Sequence, residues 1–202
     1  AEQNYGHGQG VANFAVISIG SGIGSGLVLN HSLHRGTHGA AGEIFYVPFG
    51  ELSDTHRLQT DPSGPNISEV ARALAPKYPQ TRLSEPFEPA AVFDAARFKD
   101  GLALAVIENI AERIARYIAA ITAVVDVEIV VLQGGVGRQS EVMLAEIQAV
   151  VSRLVPFAPT IVVSKLGETA VLMGGIALST KLAQDSMFAK RSNAYQAARE
   201  VS

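Results

Sequence analysis

The 202-residue chain contains no cysteine. Disulfides, thiolate metal sites and cysteine nucleophiles are thereby excluded. It also lacks an apolar run approaching the ~18–20 residues of a membrane-spanning helix, and no basic-then-apolar segment opens it. Charge excess is absent too: 16 Lys and Arg stand against 19 Asp and Glu, a formal net charge of −3, so these residues hold no general attraction for a nucleic-acid backbone. No low-complexity stretch marks disorder. With those classes removed, the chain reads as a soluble cytoplasmic protein, and 48% apolar residues suffice for one good core or two small ones.

Its start reads as a continuation. "AEQNYG" resembles the tail of a helix that began earlier, ended by Gly6 and Gly8, so a fragment or a processed chain is expected. "NFAVISIG", "GLVLN" and "SLHR" are then extended runs separated by glycines and by an Asn30-His31 turn, and connections this short predict an antiparallel three-stranded meander. "EIFYVPF" is expected to be extended, and Glu51–Pro65 a polar surface loop. Asn66 or Ser68 is expected to cap a helix running to about Ala75, and a short helix follows over Ala90–Phe98.

Residues 101–126 carry the plainest signal. Leu104, Ile107, Ile110, Ile114, Ile118 and Ile121 recur at helical spacing opposite a stripe of Glu108, Glu112 and Arg116, the last two spaced for an i,i+4 pair. It reads as a core helix with a solvated face, and its apolar length is also expected to leave surface for a partner. "EIVVLQGGVG" is a buried strand running into glycines, followed by a helix over about Ser140–Leu154, the strand "TIVVS" and a helix from about Glu168 to Leu182. That order predicts an α/β fold, the meander followed by a right-handed parallel βαβα unit. Residues 1–12 read as helix tail and linker, 13–182 as one lobe, and 183–202 as a C-terminal helix or tail.

Two glycine motifs have chemical potential. "GSGIGSG" (20–26) can turn backbone N–H groups and the Ser21 hydroxyl toward phosphate oxygens, although a strand rather than a dinucleotide-site helix follows it. "QGGVG" (133–137) ends a parallel strand before a helix, where open α/β sheets bind ligands and helix N-termini favour anions. Either motif also serves as a plain tight turn, and "LMGG" (172–175) reads as close helix packing. His31, His34 and His38 lie on a turn and a strand, not on one helix face, so no metal site is assigned to them.

Together, "VISIGSGIGSGLVLNHSLHRGTHGAAGEI", "IVVLQGGVG" and "AVLMGGIALS" resemble the C-terminal lobe of the ROK family over Ala12–Leu182. That family joins bacterial sugar-responsive repressors and sugar kinases on the RNase H-like, actin-like ATPase fold. The resemblance implies that the catalytic Asn-Asp motif and the first phosphate loop precede Ala1, so no catalytic residue is assigned within the chain. It implies phosphate binding by Gly20, Ser21, Gly22 and Gly24, with Ser21 where Thr is usual. It implies nucleotide binding by Gly134, Gly135 and Gly137, with Gln133 where Gly is common and a side chain there crowding a nucleotide. It implies sugar binding by Glu43, His38 and Tyr46. An ionised carboxylate such as Glu43 offers hydroxyl groups strong acceptors. Phe45 and Tyr46 stand where the family carries Gly-His, and the zinc-site cysteines are missing, so the family's zinc site is expected to be absent and no cofactor is expected.

Two functions then compete, with a remnant lobe that only oligomerises as a third. The favoured reading is the sugar-sensing lobe of a transcriptional regulator, which would reach DNA only through a domain missing from this chain. The alternative is a lobe of an ATP-dependent, glucokinase-like sugar kinase, with ATP and Mg as its cosubstrates. Either reading implies a sugar or sugar-phosphate ligand, a homodimer and no membrane partner.

Overall fold

The computed structural model describes residues 1–49 and 60–200, the side chains of 189–200 excepted. Five strands form one mixed sheet: β1 (Phe14–Ile19), β2 (Ile23–Leu29), β3 (Ser32–His34), β4 (Ile129–Gln133) and β5 (Thr160–Val163), in the order β3-β2-β1-β4-β5. β1, β2 and β3 pair antiparallel, whereas β4 lies parallel to both β1 and β5. The meander followed by a parallel unit is thus the observed topology. Asn30 (φ 50) and His31 (φ 61) form the β2–β3 turn with both central residues left-handed, the two-residue geometry that matches strand twist.

Strand parity divides the sheet into two faces. Ala15, Ile17 and Ile19 of β1, with Val130 and Leu132 of β4, enter the main core and are fully buried. The alternate residues, Phe14, Val16, Ser18 and Gln133, take the other face. The core is closed by the helices α2 (Gly64–Leu74), α3 (Pro89–Arg97), α4 (Gly101–Val125) and α5 (Leu144–Leu154). A short helix α1 (Glu2–Tyr5) and a long one, α6 (Ala170–Glu200), serve the opposite face.

α4 is the central strut. Asp100 caps it by accepting the Ala103 N–H at 3.1 Å, and Asp126 (φ 49) ends it in the left-handed region. Ile110, Ile114 and Ile118 are fully buried against this chain's own sheet and helices, so α4 does not supply the bare apolar surface expected for assembly. Exposed apolar side chains instead lie along α6, at Val171, Leu172, Ile176, Leu182, Met187 and Phe188. Leu104 departs from the apolar stripe and is exposed. The expected Glu112–Arg116 pair is not formed among the described residues; their neighbour Arg113 donates from Nη1 to the Asp61 carbonyl at 2.8 Å.

Other boundaries shift for local reasons. α2 begins at Gly64, before either expected cap, because Pro65 suits a first helical turn, lacking an N–H that would be unpaired there anyway. "EIFYVPF" is not extended: Ile44–Tyr46 form a 3-10 turn, closed by Tyr46 N–H to Glu43 C=O at 3.2 Å and Val47 N–H to Ile44 C=O at 3.0 Å, which drops Ile44 into the core. Ser140–Met143 is a 3-10 segment before α5. The last helix runs unbroken past residue 182, and the expected loop at 51–65 falls largely outside the described residues. No described helix is long and apolar enough to cross a membrane.

Candidate functional site

From β1 the chain leaves to one side, into β2 and β3, and returns on the other side as β4. The crevice at the carboxyl ends of β1 and β4 is therefore a topological switch point, where open α/β sheets hold ligands. Both glycine motifs begin there. Gly134 has φ +84, and a Cβ on it would lie 2.4 Å from the Ile19 carbonyl oxygen, so this glycine lets β4 pass the end of β1. A Cβ on Gly137 would lie 3.2 Å from the Leu132 carbonyl carbon. Gly135 alone of the three faces open space.

A third element joins them. Gly64 N–H donates to the Gly20 carbonyl at 2.8 Å, pinning the N-terminus of α2 to the β1 loop. Behind this bond Asp61 is buried and accepts from Ser63 N–H (2.9 Å), Ser63 Oγ (2.8 Å) and Asn66 Nδ2 (3.1 Å). Arg113 holds the Asp61 carbonyl from below; burial pulls its guanidinium below the usual range, and the Asp61 charge opposes that pull. The result is a cavity of about 590 Å³ lined by Gly20, Ser21, Gly64, Glu88 and Gly135, with Pro65, Pro89 and Ala90 as an apolar wall.

Of the predicted phosphate and nucleotide residues, Gly20, Ser21 and Gly135 meet in this cavity. Gly22, Gly134 and Gly137 do not line it, and Gly24 belongs elsewhere. Gln133 does not crowd it: the residue lies on the sheet face opposite the core and lines a different cavity. Gly64, Ser68, Glu88 and Gln139 were missed by sequence reading, and "DPSG" (61–64) before an amphipathic run was the signal available.

The second cavity, about 400 Å³, lies on that other face and includes Ser18, Gly24, Ser25, Glu43, Gln133 and Ala170 in its wall. Gly42 places Glu43 there. Its φ is +94, a Cβ on it would stand 2.1 Å from the Ser25 carbonyl oxygen, and its own carbonyl accepts from Ser25 N–H at 2.8 Å and Ser25 Oγ at 3.0 Å. The "HGAAGE" glycines therefore bolt an exposed carboxylate to the edge of β2. The Glu43 carboxylate accepts no hydrogen bond among the described residues. His38 and Tyr46 are not brought to this cavity; both are exposed, and Tyr46 meets Phe45 edge-on at 5.9 Å between ring centroids. Glu2, unflagged by sequence, closes one end: its buried carboxylate bonds to the Ser164 hydroxyl and accepts His7 N–H at 2.9 Å.

With the geometry in place, comparison with known proteins is informative. The model of the ROK family matches residues 1–182. The bifunctional enzyme NanE/NanK of Brucella suis is 31% identical over 173 residues, covering 86% of this chain and 31% of that protein. N-acetylmannosamine kinase of Haemophilus influenzae is 30% identical over 140 residues, covering 68% of this chain and 45% of that protein. The chain thus spans less than half the length of these curated relatives. Among solved structures, a ROK family glucokinase from Streptomyces griseus, in complex with glucose and AMPPNP, superposes with a TM-score of 0.77 at 22% identity, over 88% of this chain and 63% of that one. A ROK family transcriptional regulator, homolog of E. coli Mlc, superposes with a TM-score of 0.68 at 25% identity, over 81% of this chain and 44% of that one. The fold is that of the ROK, actin-like sugar kinases.

Proposed function

The chain belongs to the ROK family, and on that premise we propose that it is the C-terminal lobe of an ATP-dependent sugar kinase. One observation carries the choice over the regulator favoured by sequence: Gly20, Ser21, the start of α2 and Gly135 converge on one open cavity, and Gln133 stays out of it. In this reading the phosphates of ATP lie at Gly20–Ser21, where loop amides and the Ser21 hydroxyl donate to anionic oxygens. The Glu88 carboxylate accepts the ribose hydroxyls, and the prolines of the wall cover the base. Magnesium arrives with the nucleotide.

The sugar occupies the Glu43 cavity, where the unpaired carboxylate accepts from its hydroxyls. Phosphoryl transfer asks the protein chiefly for positioning and electrostatic stabilisation. This lobe supplies both through backbone amides held in place by bonds such as Gly64 to Gly20. The likeness to the Mlc-homologous regulator supports a second reading, a sensing lobe that binds sugar without turnover.

An ADP-release assay on the complete protein, with Mg-ATP and a panel of hexoses and hexosamines, tests the choice. Turnover above background with at least one sugar is expected, and Ser21→Ala should lower kcat/KM by about tenfold, the worth of a hydrogen bond to a charged group. A flat panel with sugar binding intact rejects the kinase in favour of the sensing lobe.

A further inference from the structure

We infer that Gln133 is a specificity-determining residue of the Glu43 cavity, and that it selects an acetamido sugar over the corresponding plain hexose. The inference rests on the proposed assignment of that cavity to sugar.

Gln133 is the last residue of β4, directly beside Ser18 of β1 in the parallel register. Its neighbours Val130 and Leu132 are fully buried, but Gln133 is only half-buried, and no hydrogen bond satisfies its amide among the described residues. No hydrogen bond from the Gln133 side chain holds the glycine turn beside it, where Gly134 has φ +84 and no room for a Cβ against the Ile19 carbonyl oxygen. The side chain is thus an unused pair of hydrogen-bonding groups, one donor end and one acceptor end, presented to a cavity.

The rest of the wall divides by chemistry. Glu43 is anionic and offers acceptors only, which suits sugar hydroxyls. Gln133 offers a complementary donor and acceptor, which suits the C=O and N–H of another amide. Val16 and Ala170 provide apolar surface in the same cavity, fit for a methyl group. An acetamido substituent carries one carbonyl, one N–H and one methyl. A cavity of about 400 Å³ has room for a pyranose bearing it. A hydroxyl in its place would leave part of the Gln133 amide without a partner, and sites built to hydrogen-bond a group discriminate strongly against analogues that lack it.

The test uses the complete protein and two sugar pairs that differ only at C2: glucose with N-acetylglucosamine, and mannose with N-acetylmannosamine. Dissociation constants are measured by calorimetry in the parent, in Gln133→Gly, and in Gln133→Leu, which keeps the bulk and removes the amide chemistry. The parent should favour the acetamido member of at least one pair by about tenfold or more. Both variants should bring that ratio close to one, whereas Glu43→Gln should weaken both members of each pair together. A preference that survives in both Gln133 variants, or a parent that favours the plain hexoses, overturns the inference and leaves the sugar site standing. If the parent binds none of the four sugars, the site reading falls and takes the inference with it.

Discussion

Two adjacent glycines, Gly134 and Gly135, should respond to substitution in opposite ways. Gly134 has φ +84, so Gly134→Ala forces a left-handed residue at a cost of about 1–2 kcal/mol. The new methyl would also sit 2.4 Å from the Ile19 carbonyl oxygen, and overpacking of that kind typically costs about 1–3 kcal/mol more. The sum, about 2–5 kcal/mol, corresponds to a Tm lower by roughly 4–20 °C at this chain size. Gly135 has no such constraint, since a Cβ there meets nothing within 4 Å. Gly135→Leu should therefore leave the melting curve within about 0.5 kcal/mol of the parent, as expected of a change without cavity, strain or buried polar cost. Its side chain would project into the space assigned to nucleotide. Urea melts and calorimetric titration with Mg-ATP separate the two effects. Gly135→Leu should keep the fold and lose at least tenfold in ATP affinity, and Gly134→Ala should lose stability first. Unchanged ATP affinity in a folded Gly135→Leu protein would refute the placement of nucleotide, and a neutral Gly134→Ala would refute the steric reasoning.

Gly42→Ala should detach the Glu43 segment from β2, because its Cβ would stand 2.1 Å from the Ser25 carbonyl oxygen; sugar affinity by calorimetry should fall along with thermal stability. Asp100→Ala removes the cap of α4 and should cost about 1 kcal/mol in a urea melt. Burial works against the Asp100 charge, but the N–H groups of Arg82 and Ala103 and the Thr81 hydroxyl outweigh it and hold the carboxyl below its ordinary range. The contribution of Asp100 is therefore present above the ordinary aspartate pKa of about 3.9 and is lost as pH falls through the lower folded value, a slope that should vanish in the alanine variant. Tyr117 behaves in the opposite sense. Burial pushes its phenol up, so stability should decline as pH rises beyond about 10, and Tyr117→Phe should flatten that decline in alkaline melts.

Much of this architecture was legible in the chain because its signals are local. Runs such as "NFAVISIG" and "EIVVLQ" are β-rich and end at glycine, the Asn30-His31 turn fixes a hairpin, and the isoleucines of α4 keep helical spacing for about four turns. What escaped was set by long-range placement. The bond from Gly64 to Gly20 joins segments with no sequence relation, so the first residues of α2, which complete the first cavity, read as the end of a surface loop. Gln133 shows the limit more finely. Alternation from Val130 and Leu132 predicts that it turns away from the core, yet nothing local says which face holds which ligand. Glu43 stands in the wall of the second cavity beside the Gly42 contact with Ser25, whereas His38, before the 3-10 turn at Ile44–Tyr46, and Tyr46, within it, lie outside that wall.

The most direct test of the account is an amide-resolved NMR titration of this chain with Mg-AMPPNP. The account predicts that the largest shifts fall together on the amides of Gly20, Ser21, Gly64 and Gly135, with Gln133 and Ser25 little changed. Shifts centred on the Glu43 cavity, or no saturable shifts at any concentration used, would contradict it.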